Sequence, residues 1–379
     1  MSLVYSEEQR LLADTARDFL AEQSPVSAQR ALRDGGDALG FSPTLWASMV
    51  ELGWSAIPFA EAHGGLEFGV TGLGAVCEAL GHHLSPSPMV SSVALAGAVL
   101  ELAGSADQRN DWLPLLIQGE RRLALAVDEG ARHDPRRLAL SARREGEGYR
   151  LSGEKVMVLD GHGADGWIVA ARTSGVPGEA AGVSLFLVPA DTPGVTLTRL
   201  SLIDARNAAN LYLDEVTLEA GCRLGEEGEG LASLEAALDR GRVCLAAEML
   251  GACEALFAMT LEYLKTRVQF DVPIGSFQAL QHRAAWLHVE LALARSTLMA
   301  ALDALDRDAH DAAALVSLAK WKVGIMADRV GNEAVQLHGG IGVTDELDVG
   351  LYLKRLRVAQ ASLGDADYHA RRYAELTRS

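Results

Sequence analysis

The residues from Arg267 to Gln281 read RVQFDVPIGSFQALQ and place a guanidinium, two phenylalanines and a glycine around a break in helical periodicity. Pro273 breaks the pattern because it lacks an N–H donor and its ring clashes with the preceding helical turn. Gly275 and Ser276 supply turn and N-cap residues, which predicts that a second helix begins near Phe277. An arginine in the last turn of the first helix would complement the helix dipole, and it could also bind two phosphate oxygens. These residues alone are compatible with an ordinary helix hairpin or with a pyrophosphate site.

A second glycine-containing stretch, Gln336 to Gly342, reads QLHGGIG. Adjacent glycines let backbone N–H groups approach phosphate oxygens closely. By itself the Gly339–Gly340 pair favours a plain helix terminus.

Together the two stretches resemble the C-terminal signatures of the flavin-dependent acyl-CoA dehydrogenases, and they occur in the family's order on a chain of 379 residues. That family oxidises acyl-CoA thioesters between the α and β carbons, with FAD as the redox cofactor and a carboxylate as the base. The resemblance implies FAD, an acyl-CoA substrate, and an electron-transfer flavoprotein or a similar electron acceptor. It also implies the FAD-binding residues, which in the family contact the FAD of a neighbouring subunit: Arg267, Phe270, Phe277, Gln278, Gln336, Gly339 and Gly340.

The family's catalytic carboxylate has no counterpart at either of its two usual positions. Leu363 stands where most members carry a glutamate, and Gly241 stands where other members place the base, one residue before Arg242. The resemblance assigns Arg242 to the substrate side, next to the thioester. Asp365 matches the family threonine and is a weak candidate for a replacement base, and Asp239 is a second one.

The middle of the chain also departs from the family pattern. The segment that supplies flavin hydroxyl contacts in the family reads VDEGARHD here, from Val127 to Asp134. The family's tryptophan-containing strand beside the flavin ring reads VMVL, from Val156 to Leu159. The contacts of this chain to its own flavin are therefore in question, whereas those to a neighbour's flavin are present.

Composition excludes several classes of function. The net charge of −17 argues against nucleic acid or an anionic membrane as the main partner. The four cysteines show no metal-ligand spacing, so we expect reduced core cysteines and no metal site. We see no signal peptide and no apolar run of the length of a membrane span, which predicts a cytoplasmic protein.

Three domains are expected from the change in periodicity along the chain. Residues 1–120 and 229–379 have helical patterns, whereas 121–228 contains short apolar strands separated by glycine and proline. We predict an N-terminal helical domain, a middle antiparallel β-barrel-like domain and a C-terminal four-helix bundle, in which residues 351–376 contain the last helix. This α+β order is that of the acyl-CoA dehydrogenase fold, and the resemblance implies a dimer or a dimer of dimers formed through the bundle.

Three functions fit these observations. The chain could be the subunit of a heteromeric acyl-CoA dehydrogenase that lacks its own catalytic glutamate, as in relatives acting on steroid-derived or dicarboxylic acyl-CoA. It could instead be a self-sufficient homo-oligomeric dehydrogenase that uses an unusual base such as Asp365. It could also be a non-catalytic scaffold that binds acyl-CoA or flavin.

Overall fold

The computed structural model describes residues 4–378. Two compact units are present, and each combines segments that are distant in sequence. Unit 1 comprises residues up to 31, 70–85 and 242 onward, and unit 2 comprises 32–69 and 86–241. The boundaries of the three domains predicted from the sequence remain a prediction, because the two units divide the chain differently.

The helices of the described residues follow the predicted helical stretches. They are α1 Glu7–Gln23, α2 Val26–Gly35, α3 Pro43–Glu51, α4 Gly69–His82, α5 Ala98–Ala103, α6 Ala106–Ile117, α7 Leu231–Thr266, α8 Gln278–Asp306, α9 Ala312–His338, α10 Val349–Ala361 and α11 Ala366–Leu376. A π-helix, Met89–Gly97, precedes α5. The helical pattern predicted within residues 1–120 therefore includes a stretch of π-helix.

Unit 1 is held together by a close crossing of α4 and α7. A Cβ atom added to Gly81 would lie 1.8 Å from the Glu248 carbonyl oxygen, and one added to Gly251 would lie 1.9 Å from that of Glu78. The two helix backbones therefore touch, which only glycine permits at these positions. Next to the crossing, the buried Glu78 carboxylate binds the guanidinium of Arg295 at 2.8 Å.

The middle of the chain forms a sheet within unit 2. Its strands are β1 Leu123–Ala126, β2 Ser141–Glu145, β3 Gly148–Leu159, β4 Gly166–Arg172, β5 Val183–Pro189, β6 Val195–Ser201, β7 Asn207–Leu218 and β8 Arg223–Leu224. The strand order is β6-β7-β3-β2-β4-β5-β8, with β1 beside β4. The predicted β domain is confirmed, although the sheet is mixed rather than wholly antiparallel, since β4 pairs in parallel with β1 and β2.

The C-terminal bundle differs from the prediction at its end. Instead of one last helix, α10 and α11 are separated by a turn over residues 362–365, which we call the 362–365 turn. Leu363 and Gly364 have φ angles of 58° and 103°, which no α-helix can contain. Asp365 then caps α11 by accepting a hydrogen bond from the Tyr368 N–H at 2.8 Å.

One helix of the described residues, α7, is long and apolar enough to cross a membrane. However, 78% of its most apolar window is buried within the protein. This is the pattern of a core helix, and it carries little weight as evidence for a membrane span.

Candidate active site and cofactor platform

The seven residues expected to bind FAD lie at one end of unit 1. We call them the platform: Arg267, Phe270, Phe277, Gln278, Gln336, Gly339 and Gly340, all of which are exposed. They lie at or just beyond the C-terminal ends of α7 and α9, or at the start of α8. The two helix ends are joined by the rings of Tyr263 and His338, whose centroids lie 4.5 Å apart. The structure therefore brings both glycine-containing stretches of the sequence to one place.

The connection from α7 to α8 is a short hairpin rather than a simple helix turn. Strand β9, Val268–Gln269, pairs with β10, Val272–Pro273, through a two-residue loop. Both loop residues, Phe270 and Asp271, have positive φ angles of 54° and 62°. Such a turn normally selects asparagine, aspartate or glycine, so an aromatic residue in this conformation is strained.

Phe270 combines this strain with exposure, since 86% of the residue is accessible to solvent. Its ring contacts that of Phe277 edge to face, with centroids 6.1 Å apart. Strained residues concentrate at functional sites, because the surrounding structure must compensate for the free energy that the strained backbone costs. The two rings offer a ready surface for a planar group.

Charge at the platform comes from a guanidinium and from a helix start. Among the described residues, Arg267 has no side-chain hydrogen bond or ion pair, and its side chain is free to bind an anion. Helix α8 begins after Phe277 with no side-chain cap, which corrects the prediction of a Ser276 N-cap. The Ser276 hydroxyl instead donates to the Pro273 carbonyl at 2.7 Å. The first N–H groups of α8 therefore remain available for an anion.

The glycine pair after α9 also leaves backbone groups accessible to an anion. Gly339 has φ 66° and ψ −144°, a conformation essentially restricted to glycine. A Cβ at Gly339 or Gly340 would meet no atom within 4 Å, so the space above this backbone is open. A free guanidinium, uncapped helix N–H groups and an open glycine backbone together fit a pyrophosphate, and the binding of FAD by these residues remains a prediction.

Leu363, which the resemblance matches to the family's base position, lies on the 362–365 turn, and buried basic groups bind the backbone of this turn. Arg242 is fully buried and donates from Nε to the Leu363 carbonyl at 3.3 Å and from a terminal nitrogen to the Tyr368 hydroxyl at 3.0 Å. His369 Nε2 lies 3.1 Å from the same Leu363 carbonyl. Arg242 therefore holds the backbone of the turn, and its substrate role remains a prediction.

Lys320 binds the other side of the 362–365 turn. Its ammonium donates to the carbonyls of Ala359 and Gly364 at 3.1 Å and of Gln360 at 3.2 Å. Burial, followed by the charge of Arg242, lowers the pKa of Lys320 to about 7. Burial also lowers the pKa of His369, and Lys320 and Arg242 add to this effect, so the imidazole is neutral.

The replacement-base candidates have other surroundings. The Asp365 carboxylate is the cap of α11, a role that occupies one of its oxygens. Asp239 is 4% exposed and lies inside α7, away from both ends of the helix. Gly241 offers no side chain at the second family position.

In unit 2, the segment that the resemblance assigns to flavin contacts is held by a histidine–aspartate contact and a buried ion pair. Asp128 lies 2.9 Å from the Nδ1 atom of His133, and Glu129 lies 2.6 Å from the buried Lys155 ammonium. Glu129 also accepts from the Ala139 N–H at 2.6 Å and the Leu140 N–H at 3.0 Å. Burial lowers the pKa of Lys155, and Glu129 opposes that effect. Asp128 and Glu129 are therefore committed to the fold.

The strand expected beside the flavin ring contains a β-bulge. The pairing of β3 with β7 shifts between Lys155 and Val158, and Met157 at the bulge has φ 52° and is 42% exposed. A bulge re-aims a side chain out of the sheet, so a flexible thioether side chain is presented where the family presents an aromatic ring.

Two basic residues of this region were not identified from the sequence. Lys320 lies in the middle of a long helical pattern, and its partners are backbone carbonyls 39 to 44 residues away. His369 follows a break that the sequence pattern did not reveal. A lysine at an otherwise apolar helical position, followed by a glycine within a helical pattern at Gly364, is the signal that could have indicated both. No group of three or more metal-ligating side chains occurs within residues 4–378.

Comparison with known proteins identifies the family. The chain matches the family models "Acyl-CoA dehydrogenase, N-terminal domain" over residues 6–120, "middle domain" over 124–216 and "C-terminal domain" over 228–376. It is 33% identical over 339 residues to Acyl-CoA dehydrogenase FadE27 of Mycobacterium tuberculosis, covering 88% of this chain and 87% of the relative.

Two solved structures share both fold and sequence with the chain. The ChsE4-ChsE5 complex from Mycobacterium tuberculosis has a TM-score of 0.89 at 30% identity, covering 100% of this chain and 99% of that chain. A variant of the Tcur3481-Tcur3483 steroid ACAD has a TM-score of 0.88 at 31% identity, covering 98% of both chains. The chain therefore belongs to the acyl-CoA dehydrogenase family, whose members are FAD-dependent oxidoreductases acting on acyl-CoA. The fold expected from the resemblance is confirmed.

Proposed function

We propose that this chain is one subunit of a heteromeric acyl-CoA dehydrogenase and that an unlike partner subunit carries the catalytic base. The observation that carries the proposal is an asymmetry within the chain. Leu363 and Gly241 leave both family base positions without a carboxylate, whereas the platform for a neighbour's FAD is complete and exposed.

The internal contacts of Asp128 and Glu129 in unit 2 also support the proposal that an unlike partner carries the catalytic groups. Asp128 and Glu129 stand in the segment that contacts the flavin in the family, and both are bound by basic side chains of this chain. A carboxylate held by a buried ammonium and two N–H groups cannot be redirected to a ligand without leaving a buried charge unpaired. The partner would therefore supply the base and the flavin-ring contacts.

Two relatives make unequal pairs plausible, because each is described as a complex or pair of two differently named proteins. Bound FAD supplies the redox chemistry by accepting the electrons of the oxidised acyl group. In the proposed enzyme this chain binds the pyrophosphate and adenine end through Arg267, Phe270 and the Gly339–Gly340 backbone. An electron-transfer flavoprotein or a similar protein would then reoxidise the cofactor.

Purification of the chain alone and together with the protein encoded beside it tests the proposal. We expect little flavin absorbance in the isolated chain and yellow, active enzyme in the co-purified complex. Addition of straight-chain and steroid-side-chain acyl-CoA thioesters should bleach the flavin of the complex. Full activity with one tightly bound FAD per isolated chain would contradict the heteromer and favour the self-sufficient enzyme. Flavin that no acyl-CoA bleaches, even in the complex, would favour the scaffold.

Arg267 provides a sharper test of the platform within the complex. Arg267→Ala removes the free guanidinium, and we expect FAD affinity to fall by about tenfold or more, since a charge-assisted hydrogen bond contributes about 1.5–3 kcal/mol. Lys265→Ala is the matched control, because Lys265 has the same charge two residues earlier but pairs with Glu262 at 2.6 Å. Equal losses in both variants would show that the platform acts only through its overall charge.

A further inference from the structure

The strongest feature that the proposed function leaves unexplained is the buried amine of Lys320. The residue is 2% exposed and lies in the middle of α9. Its three hydrogen-bond acceptors are neutral carbonyls, two at the end of α10 and one in the 362–365 turn. A buried ammonium without a paired carboxylate is costly, so its hydrogen bonds must do something that an apolar side chain could not.

The geometry shows what the amine does. Helix α10 ends at Ala361, and its last carbonyls need donors from outside the helix. Lys320 supplies them and, with the same ammonium, binds the Gly364 carbonyl on the far side of the turn. Arg242 and His369 bind the preceding Leu363 carbonyl. Two consecutive carbonyls of a strained turn are therefore held by buried basic groups.

The charges around Lys320 come from three directions. Arg242 on α7 and Arg355 on α10 are cations, and Arg355 is paired with Glu248 at 2.8 Å. Asp365 at the start of α11 is the nearby carboxylate that opposes them. On α11, His369 is kept neutral, while Arg372 donates to the Ser317 hydroxyl at 2.9 Å.

A cavity of about 380 Å³ lies beside Lys320 and is lined by Asp328 of α9, Gln360 of α10 and Asp365. Any opening of the turn toward this cavity would hydrate the amine. A hydrated lysine holds its proton much more strongly than a buried one.

We propose that Lys320 is a positioning residue for the 362–365 turn, on which the family's base position falls, and that opening of this turn is coupled to proton uptake by Lys320. In the closed turn the amine is buried, and its pKa is about 7 against an ordinary value of 10.5. Between these two values the closed state holds fewer protons than the open state. Rising pH therefore closes the turn, and below pH 7 the coupling has no further effect.

Hydrogen exchange of the peptide covering residues 359–368, followed by mass spectrometry from pH 6 to pH 9, tests the proposal. After correction for the intrinsic exchange rate, we expect protection to be constant below pH 7 and to rise above it by up to about tenfold per pH unit. Lys320→Met should remove this dependence, because it has no proton to exchange. Lys320→Arg should also remove it and should leave the turn poorly protected throughout, since a guanidinium stays charged.

Lys322→Met is the matched control. Lys322 lies two residues after Lys320 on α9, but it pairs with Glu290 at 2.9 Å instead of binding the turn. It should retain the wild-type pH dependence. Protection that does not change between pH 7 and pH 9 in the wild type would overturn the proposal, even if the Lys320 variants do not fold. A change confined to the range below pH 6.5 would also overturn it, because that range belongs to His369.

Discussion

At the scale of single residues, this chain keeps its charged side chains committed to internal partners where its family places ligand contacts. Glu129 is the clearest case, because one carboxylate binds the buried Lys155 ammonium and two backbone N–H groups. The fold can hold these charges only because each is satisfied by the other. The segment from Val127 to Asp134 therefore stabilises the fold through internal contacts and is not an open binding loop.

Replacing Glu129 with alanine should therefore be severely destabilising. It leaves the Lys155 ammonium buried without a counter-charge, and breaking such a pair costs about 3–5 kcal/mol. Chemical denaturation of the wild type and the variant measures the loss in unfolding free energy. Glu226→Ala is the control, because the Glu226 side chain is 88% exposed and only 3.9 Å from Arg223. A loss below about 1 kcal/mol for Glu129→Ala would show that the Glu129–Lys155 ion pair does not stabilise the fold in this way.

Phe270 shows the opposite arrangement, a residue retained at some cost to local stability. Phe270→Asn should relieve the positive φ at the hairpin loop and raise the unfolding free energy slightly, by under about 1 kcal/mol. The same variant should weaken FAD binding by the co-purified complex, since an aromatic ring stacked on a base contributes about 1–3 kcal/mol. Fluorescence titration with FAD measures the expected loss of affinity, and chemical denaturation measures the expected gain in unfolding free energy. An FAD affinity equal to that of the wild type would remove Phe270 from the platform.

At the scale of elements, the crossing of α4 and α7 fixes unit 1, and it depends on two glycines. Gly81→Ala places a methyl group 1.8 Å from the Glu248 carbonyl, so the helices must separate. We expect a loss of at least about 3 kcal/mol in unfolding free energy, at the upper end for overpacking. Gly324→Ala is the control, because Gly324 lies within α9 with no atom within 4 Å of an added Cβ. It should gain about 0.5–1 kcal/mol. Equal effects in the two variants would contradict the close crossing.

The elements also show where sequence reasoning succeeds and where it ends. Period and breakers indicated the helices and strands, and Pro273 correctly marked the break between α7 and α8. The break at Leu363 was missed, because a leucine at a helical position gives no local sign that its φ is positive. Strand β3 continues through Gly153, next to which its pairing with β7 shifts, and a glycine at a bulge gives the same sequence signal as a turn residue. Register and tertiary hydrogen bonds decide both cases, and neither is local in sequence.

The candidate site divides in the same way. The platform residues were chosen because two stretches resemble the family's C-terminal signatures, and the structure brings these stretches together, although their binding of FAD remains a prediction. The basic groups behind the 362–365 turn could not be located in this way, because Lys320 and Arg242 act on backbone carbonyls that any sequence would provide. Their function depends on where the turn lies, and only the structure shows it.

At the scale of the whole molecule, buried basic groups give the chain a stability that increases with pH. The unfolded chain keeps the Lys320 proton up to its ordinary pKa of 10.5, whereas the folded chain releases it at about 7. Unfolding between these pH values takes up a proton and becomes less favourable as pH rises. Lys155, whose pKa is also lowered by burial, acts in the same direction.

His369 extends this dependence to the acid side. Its folded pKa lies below the ordinary value of 6.5, so the unfolded chain binds the proton first as pH falls below 6.5. We expect the unfolding free energy of the wild type to fall as pH decreases from 6.5 to 5, and to rise from pH 7 to pH 9 by up to about 1.4 kcal/mol per unit from Lys320 alone.

Urea denaturation of the wild type, Lys320→Met and His369→Gln across pH 5 to 9 separates the two ranges. Lys320→Met should lose the dependence above pH 7 and keep the one below 6.5, whereas His369→Gln should do the reverse. The two ranges are separate because the folded pKa of Lys320 is about 7 against an ordinary value of 10.5, whereas the folded pKa of His369 lies below its ordinary value of 6.5. Variants that lose both ranges together would mean that the two residues titrate as one coupled group, and the separate roles assigned to them here would be wrong.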